Sequence, residues 1–192
     1  MSGYSPRALK SIDVARRVFV RLAPTNLDSA VIGSVALAVH GYVRATRDLD
    51  LGVAALTFGA LRDVAEALHK EGFRVHVGVP APDDTLGGVV TVEGDDFDPV
   101  QIVNLTAPGG RHGKLAREAI ASAQGVSELG LPVVDVAHLV ALKLLAGSWK
   151  GELDVLELLG ANPEMPVDPI FEVCRRHRLG KRLETLLSKK RH

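Results

Sequence analysis

The order of apolar and polar positions divides the chain into two differently built halves. Residues 7–22 carry Leu9, Ile12, Val14, Ala15, Val18, Phe19 and Leu22 at helical spacing. Ala23-Pro24-Thr25-Asn26 breaks that helix. A short strand follows over 29–32, a short helix over 35–40, and a second strand over 48–53. Thr57 suits the cap of a helix through Lys70, with Leu61, Val64, Ala65 and Leu68 inward and Gly72 as its stop. Residues 73–79 alternate as a strand does, 80–85 form a turn, and 88–92 and 100–105 read as two more strands. A helix over 114–123 and a strand over 126–131 complete this half. Beyond Pro132 the pattern is helical, over 135–147, 151–159, 167–177 and 179–189. The predicted architecture is α+β: a mixed β-sheet flanked by helices over 1–131, and a C-terminal helical bundle over 132–192 packed on it. No flexible linker separates the two, and no repeat or low-complexity segment interrupts them.

Composition sharpens this picture in a few places. Apolar residues make up 46% of the 192, enough for a substantial core. Lys plus Arg and Asp plus Glu are equal at 23 each, so the whole molecule makes no broad electrostatic case for nucleic acid. The last eighteen residues differ: Arg175, Arg176, Arg178, Lys181, Arg182, Lys189, Lys190 and Arg191 face only Glu184. That run reads either as a solvated helix face or as a contact for phosphate backbones. The one cysteine, Cys174, excludes a disulfide framework and a cysteine zinc site, and its apolar surroundings make it a core residue. The seven histidines include no pair at metal-ligand spacing. The start lacks a cationic segment followed by an apolar one, and no apolar run reaches membrane-spanning length, so the expectation is a cytoplasmic protein with no membrane contact.

One stretch concentrates the candidate chemistry. The first strand ends at Gly33-Ser34, and thirteen residues separate that pair from Asp48-Leu49-Asp50-Leu51. Alternation along a strand sends Asp48 and Asp50 to one face. Two carboxylates there suit one or two divalent cations, with Mg2+ favoured because it asks for few protein ligands beside water and substrate phosphate. The Gly33-Ser34 turn ahead of a helix offers backbone N–H groups and a hydroxyl to a phosphate. Ser34 has no Ser/His/Asp arrangement to make it a nucleophile, and His40 faces away if the helix is regular. Arg44 and Arg47 flank the acids and either counterbalance them or contact a triphosphate. Phosphate grip beside metal carboxylates implies phosphoryl or nucleotidyl transfer.

The stretch Ile32-Gly33-Ser34, a spacer, then Asp48-Leu49-Asp50-Leu51 resembles the signature of the DNA-polymerase-beta-like nucleotidyltransferase superfamily. Leu139–Gly147 and Lys150–Leu159 resemble the helical region of AbiEii-type toxin nucleotidyltransferases, where a lysine in an apolar helix precedes a basic residue and an aspartate on the next helix. Lys143, Lys150 and Asp154 match that order. Taken alone, Lys143 reads as a lysine snorkelling to the surface. The resemblance implies instead that Lys143 contacts nucleotide phosphate and that Asp154 fixes it or a nearby basic group. It further implies a nucleoside triphosphate substrate, an acceptor hydroxyl on RNA such as a tRNA end or on a protein, and a toxin with a cognate antitoxin.

One part of the pattern is missing. The superfamily places a third carboxylate on a later strand, and the best-matching position here holds Gln101. Asp98 lies three residues earlier, on the opposite face unless a bulge after Pro99 re-aims it. Gln101 would neither hold a cation strongly nor serve as a base. A catalytically reduced protein that binds nucleotide, RNA or a partner without turnover is therefore the alternative reading. Residues 107–113 read first as a glycine-rich connector and second as a phosphate or nucleic-acid contact, and Trp149 reads first as a packing residue at the helix join and second as a stacking platform for a base.

Overall fold

A computed structural model describes residues 5–25, 27–55, 57–110 and 112–189. Arg111 of the glycine-rich connector and Lys190 and Arg191 of the basic run lie outside the described residues. Helix α1 (Pro6–Leu22) begins where the sequence pattern puts it. The Ser5 hydroxyl accepts from Ala8 N, and Pro6 occupies a first-turn position that needs no donor. Its Ile12, Ala15, Val18 and Leu22 face inward. Strand β1 (Ser29–Ile32) runs into helix α2 (Gly33–Val39), and β2 spans Leu49–Val53. The Thr57 hydroxyl caps α3 (Phe58–Lys70) through Ala60 N. Strands β3 (Arg74–Gly78), β4 (Val89–Glu93) and β5 (Val100–Asn104) then precede α4 (Gly113–Ala121).

The expected strand over 126–131 is instead a hairpin, β6 (Gln124–Val126) and β7 (Leu131–Val133). Gly130 sits at φ +62 and its N–H donates to the Val126 carbonyl at 2.8 Å, so the chain turns where a straight strand was expected. The last strand of the sheet thus ends at Val133.

The seven strands lie in the order β3-β4-β5-β2-β1-β7-β6. β2 pairs parallel with β5 and β1 parallel with β7; the remaining neighbours are antiparallel. Every residue of β1 is buried, as befits an interior strand covered on both faces. The edge strand β3 is mostly exposed. Four helices follow: α5 (Val136–Ala146), α6 (Trp149–Ala161), α7 (Asp168–Arg176) and α8 (Gly180–Lys189). Asp135 caps α5 and Ser148 caps α6, each accepting from the N–H three residues on. Gly147, at φ +70, ends α5 in the left-handed conformation that suits glycine. Helix α5 carries apolar residues all round because α2, α4, α6 and α7 all pack on it. Cys174 is fully buried, as its sequence surroundings imply. No described helix is long and apolar enough to cross a membrane.

Candidate functional site

Strand pairing brings the candidate residues together. The antiparallel β1–β2 register sets Ile32 opposite Asp50, and the parallel β2–β5 register sets Asp50 beside Gln101. Three strand ends therefore meet at one edge of the sheet. They floor a cavity of about 330 Å³. Gly33, Asp48, Asp50 and Gln101 line its sheet side, and Lys143, Lys150 and Asp154 line its helical side. Leu86, Val89, Val103, Leu139 and Leu142 give it an apolar wall.

Gly33 is at φ +67, and a Cβ there would overlap Oδ2 of Asp50. The position thus needs glycine twice, for its backbone angle and for the carboxylate lying against it. Gly33→Ala is expected to lower stability by about 1–3 kcal/mol and to push the Asp50 carboxylate out of place. Urea titration, together with the loss of any Asp50-dependent binding, checks this; a variant as stable as the parent would contradict the close approach.

The electrostatics centre on Asp50. Burial and then the adjacent Asp48 charge push its carboxyl up to about 6, while Lys143, Arg44 and Lys150 pull it down. On the facing side, buried Asp154 holds two cations. Its Oδ2 accepts from Lys143 Nζ at 2.7 Å, and its Oδ1 lies 2.9 Å from Arg44 Nε. The Arg44 contact is one of charge and not an aligned hydrogen bond, since Nε has no partner in hydrogen-bond geometry. Lys143 does not snorkel: its side chain is largely buried and faces the acidic pair across the cavity.

Other candidates lie elsewhere. Ser34 is buried and lines a second cavity of about 260 Å³, on the α1–α2 side, together with Arg47 and Thr46. Arg44 and Asp48 form walls common to both cavities. Arg47 is exposed and makes no ion pair among the described residues. Asp98 does not line the cavity of Asp50 and Gln101 but shares the second cavity with Asp48; Arg7 Nε donates to its Oδ1 at 3.1 Å, and its N–H donates to Ser11 Oγ. No bulge re-aims it, so Gln101 and not Asp98 stands beside Asp50. His40 lies against the Val134 carbonyl, outside the cavity lining. Trp149 is not a packing residue; it is 72% exposed. The Arg44–Asp154 pair, which ties the spacer loop to α6, was not foreseen, because sequence offered Arg44 only the nearby acids as partners.

The arrangement fits a divalent cation of one kind. Two carboxylates repel each other beside a cavity, and burial together with that repulsion holds one of them above its ordinary range despite the nearby cations. Among the described residues no group of three or more His, Cys, Asp or Glu could form an all-protein cage. The donor set suits Mg2+ completed by water and phosphate oxygens.

No protein-family model matches the chain, and no curated protein does. Solved structures share its architecture. The antibiotic-resistance factor ANT(2'')-Ia is 14% identical over 96% of this chain and 98% of its own, with a TM-score of 0.51. A nucleotidyltransferase candidate from Thermotoga maritima is 15% identical over 83% of this chain and 98% of its own, with a TM-score of 0.51. An antigenic nucleotidyltransferase-like protein from Paracoccidioides brasiliensis is 12% identical over 96% and 95%, with a TM-score of 0.50. At these identities the likeness is one of fold, and the fold of this chain is that of the nucleotidyltransferases: a mixed sheet flanked by helices, with a helical C-terminal region against it.

Proposed function

We propose that the chain is a magnesium-dependent nucleotidyltransferase that moves a nucleoside monophosphate from a nucleoside triphosphate to an acceptor hydroxyl. The observation that carries this reading is the pair Asp48 and Asp50 facing Lys143 across one cavity with an apolar wall. Asp48 and Asp50 would hold Mg2+, which when bound neutralises charge on the triphosphate and on departing pyrophosphate. Lys143 and Lys150 meet the phosphates from the helical side, and Asp154 keeps Lys143 pointed there. The apolar wall takes the base. The acceptor oxygen bonds to the α-phosphorus, the bond from that phosphorus to the bridging oxygen breaks, pyrophosphate leaves, and the acceptor proton passes to water. Gly33 sits where only a side-chain-free backbone fits against Asp50. Ser34 and Arg47, on the second cavity, are placed to meet phosphate oxygens only if the triphosphate reaches past Asp48.

The acceptor is a hydroxyl of RNA, such as a tRNA end, or of a protein, and a role as the toxin of a toxin–antitoxin pair follows from the AbiEii-type resemblance. One observation favours a second reading. Gln101 stands where a third carboxylate would take the acceptor proton, and being neutral it takes none. A protein that binds nucleotide without turnover would look the same.

Calorimetric titration with each nucleoside triphosphate, with magnesium and with chelator, tests the first step. Binding is expected with magnesium only, to fall below detection in Asp48→Asn, and to weaken at least tenfold in Lys143→Ala, since a charge-assisted phosphate contact contributes about 1.5–3 kcal/mol. Lys143→Arg should restore part of it. Equal binding with chelator would overturn the metal assignment. Label transfer from nucleotide to RNA or protein then separates the enzyme from the non-catalytic binder.

A further inference from the structure

Trp149, the single tryptophan of the chain, is the first residue of α6 and 72% exposed. Its chain neighbours Ser148 and Lys150 both line the nucleotide cavity. Trp149 does not itself line that cavity; it lies between two residues that do, with its side chain largely in water. Leu153, one turn along α6, is 37% exposed and continues the apolar ridge. A large aromatic surface left in water, next in the chain to a cavity wall, invites a stacking partner.

A groove of about 240 Å³ runs between α6 and α8, lined by Lys181, Arg182 and Lys189 against Glu152. It reaches the α5–α6 join through Arg182, which donates to Glu152 Oε1 at 2.7 Å and packs on Gly147, where an added Cβ would come within 3.2 Å of its Nη1. Lys181 and Lys189 are exposed and form no ion pair among the described residues, and neither does Lys150 at the cavity end. Cations spaced along a groove, then an exposed aromatic, then a cavity that ends at two carboxylates make a track. The combination suits a flexible polyanion with flat bases.

We propose that the end of a single-stranded polynucleotide lies in the α6–α8 groove, its phosphates met by Lys181, Arg182 and Lys189, and stacks a base on Trp149 where it enters the cavity. The direction of entry rests on the reading of the cavity as the transfer site; the binding itself does not. A protein acceptor is the competing outcome.

The test uses the full chain without nucleotide. Titration with a single-stranded oligoadenylate of about twelve residues, in ribose and in deoxyribose form, should quench the fluorescence of the lone tryptophan. Affinity should fall as salt rises, with a log–log slope that shrinks by about 0.7 for each of Lys181→Gln and Lys189→Gln. By anisotropy of a labelled strand, Trp149→Ala should bind about tenfold more weakly. Tighter binding of the ribose strand assigns the track to RNA; equal binding assigns it to either polynucleotide. Magnesium-dependent triphosphate binding should be the same in all three variants, so loss of the track and loss of the nucleotide site are told apart. Absence of quenching at low salt, or equal strand affinity in all variants, overturns the proposal. So does nucleotide transfer to protein that none of the variants alters.

Discussion

Asp154→Ala is expected to remove about 3–5 kcal/mol of stability, because it leaves the Lys143 ammonium and the Arg44 guanidinium partly buried without their common counter-charge. For a chain of this size the melting temperature should drop by on the order of 10 °C. The Lys143→Met, Asp154→Leu double variant should lose less than the two single changes summed, since each single change strands a charge that the pair does not. Arg44 keeps the recovery incomplete. Thermal melts of the parent, Asp154→Ala, Lys143→Met, Asp154→Leu and the double variant check this; an Asp154→Ala protein as stable as the parent would mean that both cations find other partners at no cost. Triphosphate binding should weaken as well, because nothing then holds Lys143 toward the cavity.

Asp50→Asn is expected to act in the opposite direction on stability and to abolish magnesium binding. The Asp50 carboxyl titrates at about 6 in the folded protein against 3.8 for the free side chain. The folded state thus holds a proton that the unfolded chain has already released between those values. The penalty is absent below pH 3.8, accumulates as pH rises to about 6, and is constant above it. Its size at neutral pH is about 2–3 kcal/mol. Asp50→Asn should therefore melt roughly 5–10 °C higher than the parent at pH 8 and show little gain near pH 4. Magnesium should raise the melting temperature of the parent and leave that of Asp50→Asn unmoved. A stability gain independent of pH would show that Asp50 is not the strained group.

The acidic pair was legible because strand alternation and a fixed spacing bring Asp48 and Asp50 to one edge whatever surrounds them. Gln101 could be matched to the third position from its apolar neighbours, but choosing it over Asp98 required the β2–β5 register and the Arg7 contact. Lys143 and Asp154 were reached through a family resemblance; helical spacing alone assigns Lys143 to the surface. The β6–β7 hairpin was missed because Ser127–Gly130 carries no Asn-Gly or Asp-Gly signal, and the turn depends on one glycine at positive φ. Trp149 was misread because aromatic residues are usually inside, and only the packing of α6 shows which side faces water. The destination of Ser34 was equally hidden: it lines the second cavity and not the one that holds Asp50. What sequence withholds here is the orientation of helices against the sheet, which summed packing sets and no local pattern encodes.

The strand order has a consequence for how the protein comes into being. β1 lies inside the sheet, yet one of its flanks stays open until β7, made long afterwards, arrives to pair Val133 with Val31. During synthesis the early strands therefore wait with an unsatisfied backbone edge while the ribosome works at about 5–20 residues per second. The cavity waits longer still, since its helical wall needs the chain through Asp154. A nascent chain that stops before Lys143 has the two carboxylates but not the lysine opposite them, and one that stops before Asp154 has the lysine without its partner. Pairings so distant in sequence also slow the search for the native state, so chaperone capture of the half-made sheet would set how much working protein a cell obtains.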